Sequence, residues 1–147
     1  MIAVDTNVLV YAHREESQHN DRCYRLLSSL TAAPLAWGIP SPCLAEFLCV
    51  VTHPRYIGTP TPVNVAFEQI RYWLAAPNMS VLYESARTWG TLRELAEAGG
   101  LAGPLIYDGR IAAICLDCGV REIWSADRDF ARFPKLRIRN PLADEIP

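Results

Sequence analysis

Apolar and polar positions fall into blocks that switch between strand-like runs and helical periodicity along the whole chain. Ile2–Val4 is a short apolar run that reads as a buried strand, and Val8, Leu9 and Ala12 restart the pattern at helical spacing. His13–His19 is polar and reads as a loop. Asn20–Ala33 reads as a helix, with Cys23, Leu26, Leu27 and Leu30 on one face and Pro34 as its stop. Leu35–Ile39 is a candidate second strand. Pro42–Thr52 is the next helix, introduced by Pro40-Ser41-Pro42 and ended by His53-Pro54. Arg55–Pro62, with Gly58, Pro60 and Pro62, is a connector. Val63–Ala76 is helical and closed by Pro77; Met79–Tyr83 is a third strand. Glu84–Ala98 carries Ala86, Trp89, Leu92, Arg93 and Ala96 at helical spacing, and Gly99-Gly100 terminates it. Leu105–Cys118 is the last long helix, ended by Gly119. Val120–Ser125 and Leu136–Ile138 are the fourth and fifth strand candidates, and Asn140–Pro147 is tail.

Strands separated by helices, at intervals too long for hairpins, predict an α/β fold. Its core is a parallel sheet of four to five strands, covered by helices on both faces through right-handed crossovers. No repeat or linker interrupts the 147 residues, so they read as one domain, 1–147, with 140–147 as its tail. Half the residues are hydrophobic and a fifth are charged, which excludes a disordered chain. No apolar run reaches the ~18 residues of a membrane span. Nor does the N-terminus carry a basic, apolar leader, so the protein reads as cytoplasmic. Cys23, Cys43, Cys49, Cys115 and Cys118 are an odd set, read as reduced residues in mostly apolar surroundings. Cys115 and Cys118 lack a second pair with ligand spacing.

Net charge is −2, with a single lysine, Lys135, among the basic residues. Bulk charge therefore gives no argument for a nucleic-acid partner. A mildly acidic protein acting on a polyanion needs a metal ion or a local arginine cluster.

The candidate chemistry lies in the acids. Asp5 follows the first strand, Glu46 lies in the second turn of the helix after the second, and Asp127 and Asp129 follow the fourth. In a parallel sheet those strand ends share one rim, the edge where ligands bind. Asp108, in the first turns of the helix before strand four, starts near that rim. Asp5 serves equally as a helix N-cap. Glu46 could be an exposed helix position, and Asp108 an acid favoured by the helix dipole. Several carboxylates brought together raise one another's pKa unless a cation neutralises them. An all-oxygen cluster suits a hard ion such as Mg2+, and the matching chemistry is phosphodiester hydrolysis. Thr6, Asn7 and Ser125 are either orienting groups for the acids or ordinary turn and cap residues. Asp117, Glu94, Glu97, Asp144 and Glu145 read as solvated. His13 and His19 belong to the polar loop, within possible reach of the rim.

Four segments resemble the PIN-domain family, and within it the VapC ribonuclease toxins of type II toxin–antitoxin systems. They are Val4-Asp5-Thr6-Asn7-Val8-Leu9, Leu44-Ala45-Glu46-Phe47, Tyr107-Asp108-Gly109-Arg110-Ile111-Ala112-Ala113 and Ser125-Ala126-Asp127-Arg128-Asp129-Phe130. No one of them is specific; their order and spacing over Ile2 to about Pro141 are. The resemblance implies an endoribonuclease that uses Mg2+, with Mn2+ as a substitute. Asp5, Glu46, Asp108 and Asp127 would be catalytic, and Asp5, Asp108 and Asp127 metal ligands, with Asp129 sharing or taking the fourth acid's role. It also implies a homodimer, an RNA substrate and a small antitoxin that covers the acidic pocket. The helices near Phe47, Tyr72 and Trp73 could supply that antitoxin surface, although ordinary core is the favoured reading. Gly109 departs from the family, which more often has a helix-favouring residue there.

Two rival readings share the acidic sheet edge. A haloacid-type phosphatase wants an Asp two residues after the first, where this chain has Asn7. A receiver-like signalling domain needs a lysine in the pocket, and only Lys135 is available. Choice of RNA target would rest on surface shape and contacts to single-stranded bases, not on the acids.

Overall fold

The computed structural model describes residues 1–55 and 58–143. Strands and helices run in the order β1 (Ile2–Val4), α1 (Thr6–His13), α2 (Asn20–Ala32), β2 (Trp37–Pro40), α3 (Ser41–Thr52) and α4 (Val63–Leu74). Then come β3 (Met79–Leu82), α5 (Thr88–Gly99), α6 (Leu105–Asp117), β4 (Glu122–Trp124), a 3-10 helix at Arg128–Arg132 and β5 (Arg137–Arg139). Tyr56 and Ile57 of the expected connector, and Asp144 and Glu145 of the tail, lie outside the described residues.

The strands form one sheet in the order β3-β2-β1-β4-β5, and every adjacent pair is parallel. The expected parallel α/β sheet is thus present, with all five candidate strands in it. The short β1 sits at its centre, with Ala3 beside Gly38 on one side and Ile123 on the other. From β1 the chain steps twice in one direction, through α1–α2 and then α3–α4. It then returns past β1 through α5–α6 to β4. Right-handed crossovers therefore put α1–α4 on one face and α5–α6 on the other. The reversal makes the carboxyl ends of β1 and β4 a topological switch point, where open α/β sheets form their binding crevice.

Sandwiching explains the apolar runs. Ala3, Val4, Trp37, Ile39 and Ile123 are fully buried, as strands covered on both faces must be. Ile111–Cys115 is buried at five consecutive positions, so α6 is enclosed rather than amphipathic. Two glycines allow close approach. A Cβ on Gly38 would stand 2.8 Å from both Ser80 O and Leu82 Cδ2 of β3. On Gly109 it would stand 2.7 Å from Leu101 Cδ1 and 3.1 Å from Leu92 Cδ1. The departure at Gly109 thus leaves the helix start intact and lets α6 seat closely against α5 and the turn after it.

Three expectations need correction. The helix expected from Glu84 begins at Thr88. The Ser85 and Arg87 N–H groups donate to Thr88 Oγ1 and Ser85 Oγ, at 3.0 and 3.2 Å, so hydroxyls take donors a helical turn would have used. Glu84 is drawn instead into an ion pair with Arg110 of α6. Ala86 and Trp89, counted on the apolar face, are exposed. Asp117, read as solvated, is half-buried as a residue, and its side chain is only 6% exposed. It accepts from Thr88 Oγ1 at 2.9 Å and Thr91 Oγ1 at 2.8 Å, tying the start of α5 to the end of α6.

Candidate functional site

Asp5 directly follows β1 and is the N-cap of α1, as its structural reading expected. Its Oδ1 accepts from the Thr6 N–H at 2.8 Å and lies 3.6 Å from Cys43 Sγ. Its Oδ2 accepts from Asn7 Nδ2 and Ser125 Oγ, both at 2.6 Å. Asn7 Oδ1 in turn accepts from the Ala126 N–H at 3.0 Å, and Ser125 Oγ from the Asp127 N–H at 3.0 Å. Thr6 Oγ1 donates to Glu46 Oε2 at 2.6 Å. Thr6, Asn7 and Ser125 therefore tie the ends of β1 and β4 to each other and to α3, beyond any local turn or cap role.

A cleft of about 650 Å3 opens at this edge, and Asp5, Glu46, Asp108 and Asp127 all line it. Glu46 is exposed, as an ordinary surface residue of α3 would be, yet it faces the cleft. Asp108 enters from the first turn of α6. Asp127 caps the 3-10 helix through Oδ1, which accepts from the Asp129 N–H at 2.8 Å. Carboxylate oxygens of Asp108, Asp127 and Asp129 lie within 4.8 Å of one another. The sequence left Asp127 and Asp129 as alternatives for the fourth acid; the fold places both beside Asp108.

Burial and like charge decide the electrostatics. Asp5 is pushed up to about 6, chiefly by burial, which outweighs the hydrogen bonds from Ser125 and Thr6. Asp108 is also pushed up to about 6, by burial first and then by the charges of Asp127, Asp5, Asp129 and Glu46. Both carboxyls bind a proton more tightly folded than unfolded. They are ordinary acids near 3.8 in the unfolded chain, so they lower stability progressively as pH rises from about 4 to 6. For Asp5 the displacement corresponds to about 3 kcal/mol. Oxygen donors crowded this way suit a hard divalent cation, whose charge would reverse that penalty.

Among the described residues no lysine lines the cleft, so the receiver reading lacks its required group; Lys135 is exposed elsewhere. Arg14, the arginine among the described lining residues, is buried and committed to Glu16 Oε1 at 3.0 Å, Thr59 O at 2.9 Å and Val51 O at 3.1 Å. The loop histidines separate. His19 lines the cleft, whereas His13 bonds Thr61 Oγ1 at 3.0 Å and packs on Phe47. Phe47 and Trp73 are core residues, as favoured, while Tyr72 is exposed. Cys115 is buried as expected, and Cys49 is exposed. Sequence reasoning passed over Tyr11 and Arg14, which also line the cleft. The available signal was helical spacing, since Asn7 and Tyr11 stand four apart on α1, one turn above the other.

The profile of the PIN domain matches residues 2–136. Ribonuclease VapC43 of Mycobacterium tuberculosis is 39% identical over 142 residues, covering 97% of this chain and 96% of the relative. Ribonuclease VapC48 of the same organism is 32% identical over 139 residues, covering 95% and 96%. Among solved structures, M. tuberculosis VapC20, described as a Sarcin-Ricin loop cleaving toxin, superposes with a TM-score of 0.70 at 16% identity, covering 95% of this chain and all of its own. VapBC2 of Rickettsia felis, bound to a promoter DNA fragment, gives 0.69 at 24% identity, covering 95% and 98%. At those identities the structures establish the fold alone, whereas the profile and the sequence relatives establish descent. The chain belongs to the PIN-domain family, among the VapC ribonucleases.

Proposed function

We infer that this protein is a divalent-metal-dependent endoribonuclease, the toxin of a toxin–antitoxin pair, working in the cytoplasm. The observation that carries the reading is the meeting of Asp5, Glu46, Asp108 and Asp127, from four separated segments, in one cleft at the switch point. Asp108, Asp127 and Asp129 would hold the ion, with Asp5 completing the set. Bound there, Mg2+ or Mn2+ neutralises the acids, makes a water easier to deprotonate and stabilises charge on the phosphate. The protein's own part is positional. Thr6 holds Glu46 by Oε2, leaving Oε1 to take the proton of the attacking water. Ser125 and Asn7 fix Asp5 so that it needs no reorganisation. Relatives named VapC support a small antitoxin as partner, as do VapBC and FitAB complexes among the structural neighbours. Val63, Phe67 and Leu74 give α4 an exposed apolar surface for that partner or for a second copy of the chain.

The activity test is cleavage of single-stranded RNA by protein freed of antitoxin. Cleavage with Mg2+ or Mn2+ that stops in EDTA is expected, and undiminished cleavage in EDTA would overturn the reading. A second expectation follows from the titration. Protons and cation compete for Asp5 and Asp108, so the ion should raise the thermal midpoint at pH 7.5 and not at pH 5, with the gap opening near pH 6. Binding at a hundred times Kd adds about 2.7 kcal/mol. His13, held low chiefly by burial, and Glu84, held low by Arg110, act equally with and without the ion and cancel in the difference. Equal gaps at both pH values would contradict the assignment of these acids.

A further inference from the structure

We propose that the half of the cleft built by the α1–α2 connection is a base-binding subsite, where an unpaired nucleobase beside the scissile phosphate stacks on the Tyr11–His19 pair. The proposal rests on the ribonuclease reading and deepens it. The cleft, at about 650 Å3, falls in the size range of sites that enclose a whole small molecule, far more room than an ion needs. Asp5, Glu46, Asp108 and Asp127 line it from the strand ends, α3 and α6; Tyr11, Ser17, Gln18 and His19 line it from α1 and the connection to α2, beside a Glu16 whose charge is paired with Arg14.

The two rings meet edge to face, with centroids 5.1 Å apart and planes at 65°. In an edge-to-face pair the edge of one ring covers only one face of the other, so the pair does not stack on itself. Neither ring is fully buried, although Tyr11 packs against the rim of the core. The buried face of α1 is Thr6, Val8, Leu9 and Ala12, and both Tyr11 and His19 are half-buried. Their backbone is held. Asn20 Nδ2 donates to Tyr11 O at 3.1 Å and Ala12 O at 3.0 Å, and the His19 N–H donates to Ser17 Oγ at 3.2 Å. Gln18, whose amide lies 3.3 Å from His19 Nε2, is exposed and offers both a donor and an acceptor to a base edge.

Position fits the chemistry. Tyr11 lies six residues beyond Asp5 on a rigid helix, about 9 Å of rise. A base bound there belongs to a nucleotide next to the phosphate held at the acids. Stacking on aromatic side chains is how proteins hold unpaired bases, and it requires single-stranded or splayed RNA.

The test is a binding cycle that does not depend on cleavage. In an Asp108→Asn background, affinity is measured by fluorescence anisotropy for a short single-stranded RNA and for the same RNA with one abasic ribose moved along it. Tyr11→Leu should weaken binding to the intact RNA by roughly ten- to hundredfold, the scale of one lost base–aromatic stack. It should cost nothing further on the RNA whose abasic position removes that base, and Tyr11→Phe should restore affinity. Equal losses on intact and abasic RNA would mean that the ring only supports the loop, and would overturn the proposal. Undiminished RNA affinity in Tyr11→Leu, as expected if a peptide of a protein partner occupies the subsite instead, would overturn it too. The nuclease reading is judged separately, by cleavage with the parent protein.

Discussion

Asp108→Asn should lower RNA cleavage by roughly 10²- to 10³-fold while making the metal-free protein more stable at neutral pH. The loss is the scale seen when one preorganised charge-stabilising group leaves an active site. The gain follows from the sign of the titration. Burial and the charges of Asp127, Asp5, Asp129 and Glu46 push the Asp108 carboxyl up to about 6, so at pH 7 the fold carries it ionised against its preference. An amide has the shape of the protonated acid and no charge, and it removes that repulsion at all pH values. Cleavage assays and denaturant unfolding in EDTA read the two effects. A variant that lost activity and stability together would mark Asp108 as structural. One that kept full activity would remove it from the site.

Phe47→Ala should cost about 3–5 kcal/mol, the range for emptying a large aromatic site in a core. Phe47 is wholly buried on α3, edge to face with Trp73 of α4 at 4.9 Å and with His13 of α1 at 5.3 Å. It is the point where three helices of one layer meet. A ring lost there leaves a cavity that those helices, tied to the sheet, cannot close. Because native domains are stable by only about 5–15 kcal/mol, the variant keeps a small part of its stability. The readout is a lower denaturant midpoint with unchanged slope. A shift under about 1 kcal/mol would mean the helices collapse onto the gap, contrary to their packing. Glu46 precedes Phe47 on the same helix, so cleavage should fall as well, through displacement of α3 rather than through lost chemistry.

The order of strands and helices was legible in the chain because each element states its own period. Ile2–Val4, the stripe Cys23–Leu30 and the run Ile111–Cys115 name strand, surface helix and enclosed helix without reference to anything distant. Parallel topology then forced Asp5, Glu46 and Asp127 to one edge, since every strand in such a sheet ends on the same side. What the chain could not state locally was which side chains meet. Ser125 reaches Asp5 across 120 positions and Thr6 reaches Glu46 across 40. The Asp117 side chain is covered because Thr88 and Thr91 arrive from another helix, and Asp129 joins Asp108 because the 3-10 helix packs against α6. The late start of α5 was hidden for the same reason: Arg110, from α6, draws Glu84 away from it. Local sequence determines the period of an element and the identity of its caps. Burial, hydrogen-bond partners and carboxyl pKa values depend on atoms supplied from elsewhere in the chain, and only the tertiary structure decided those.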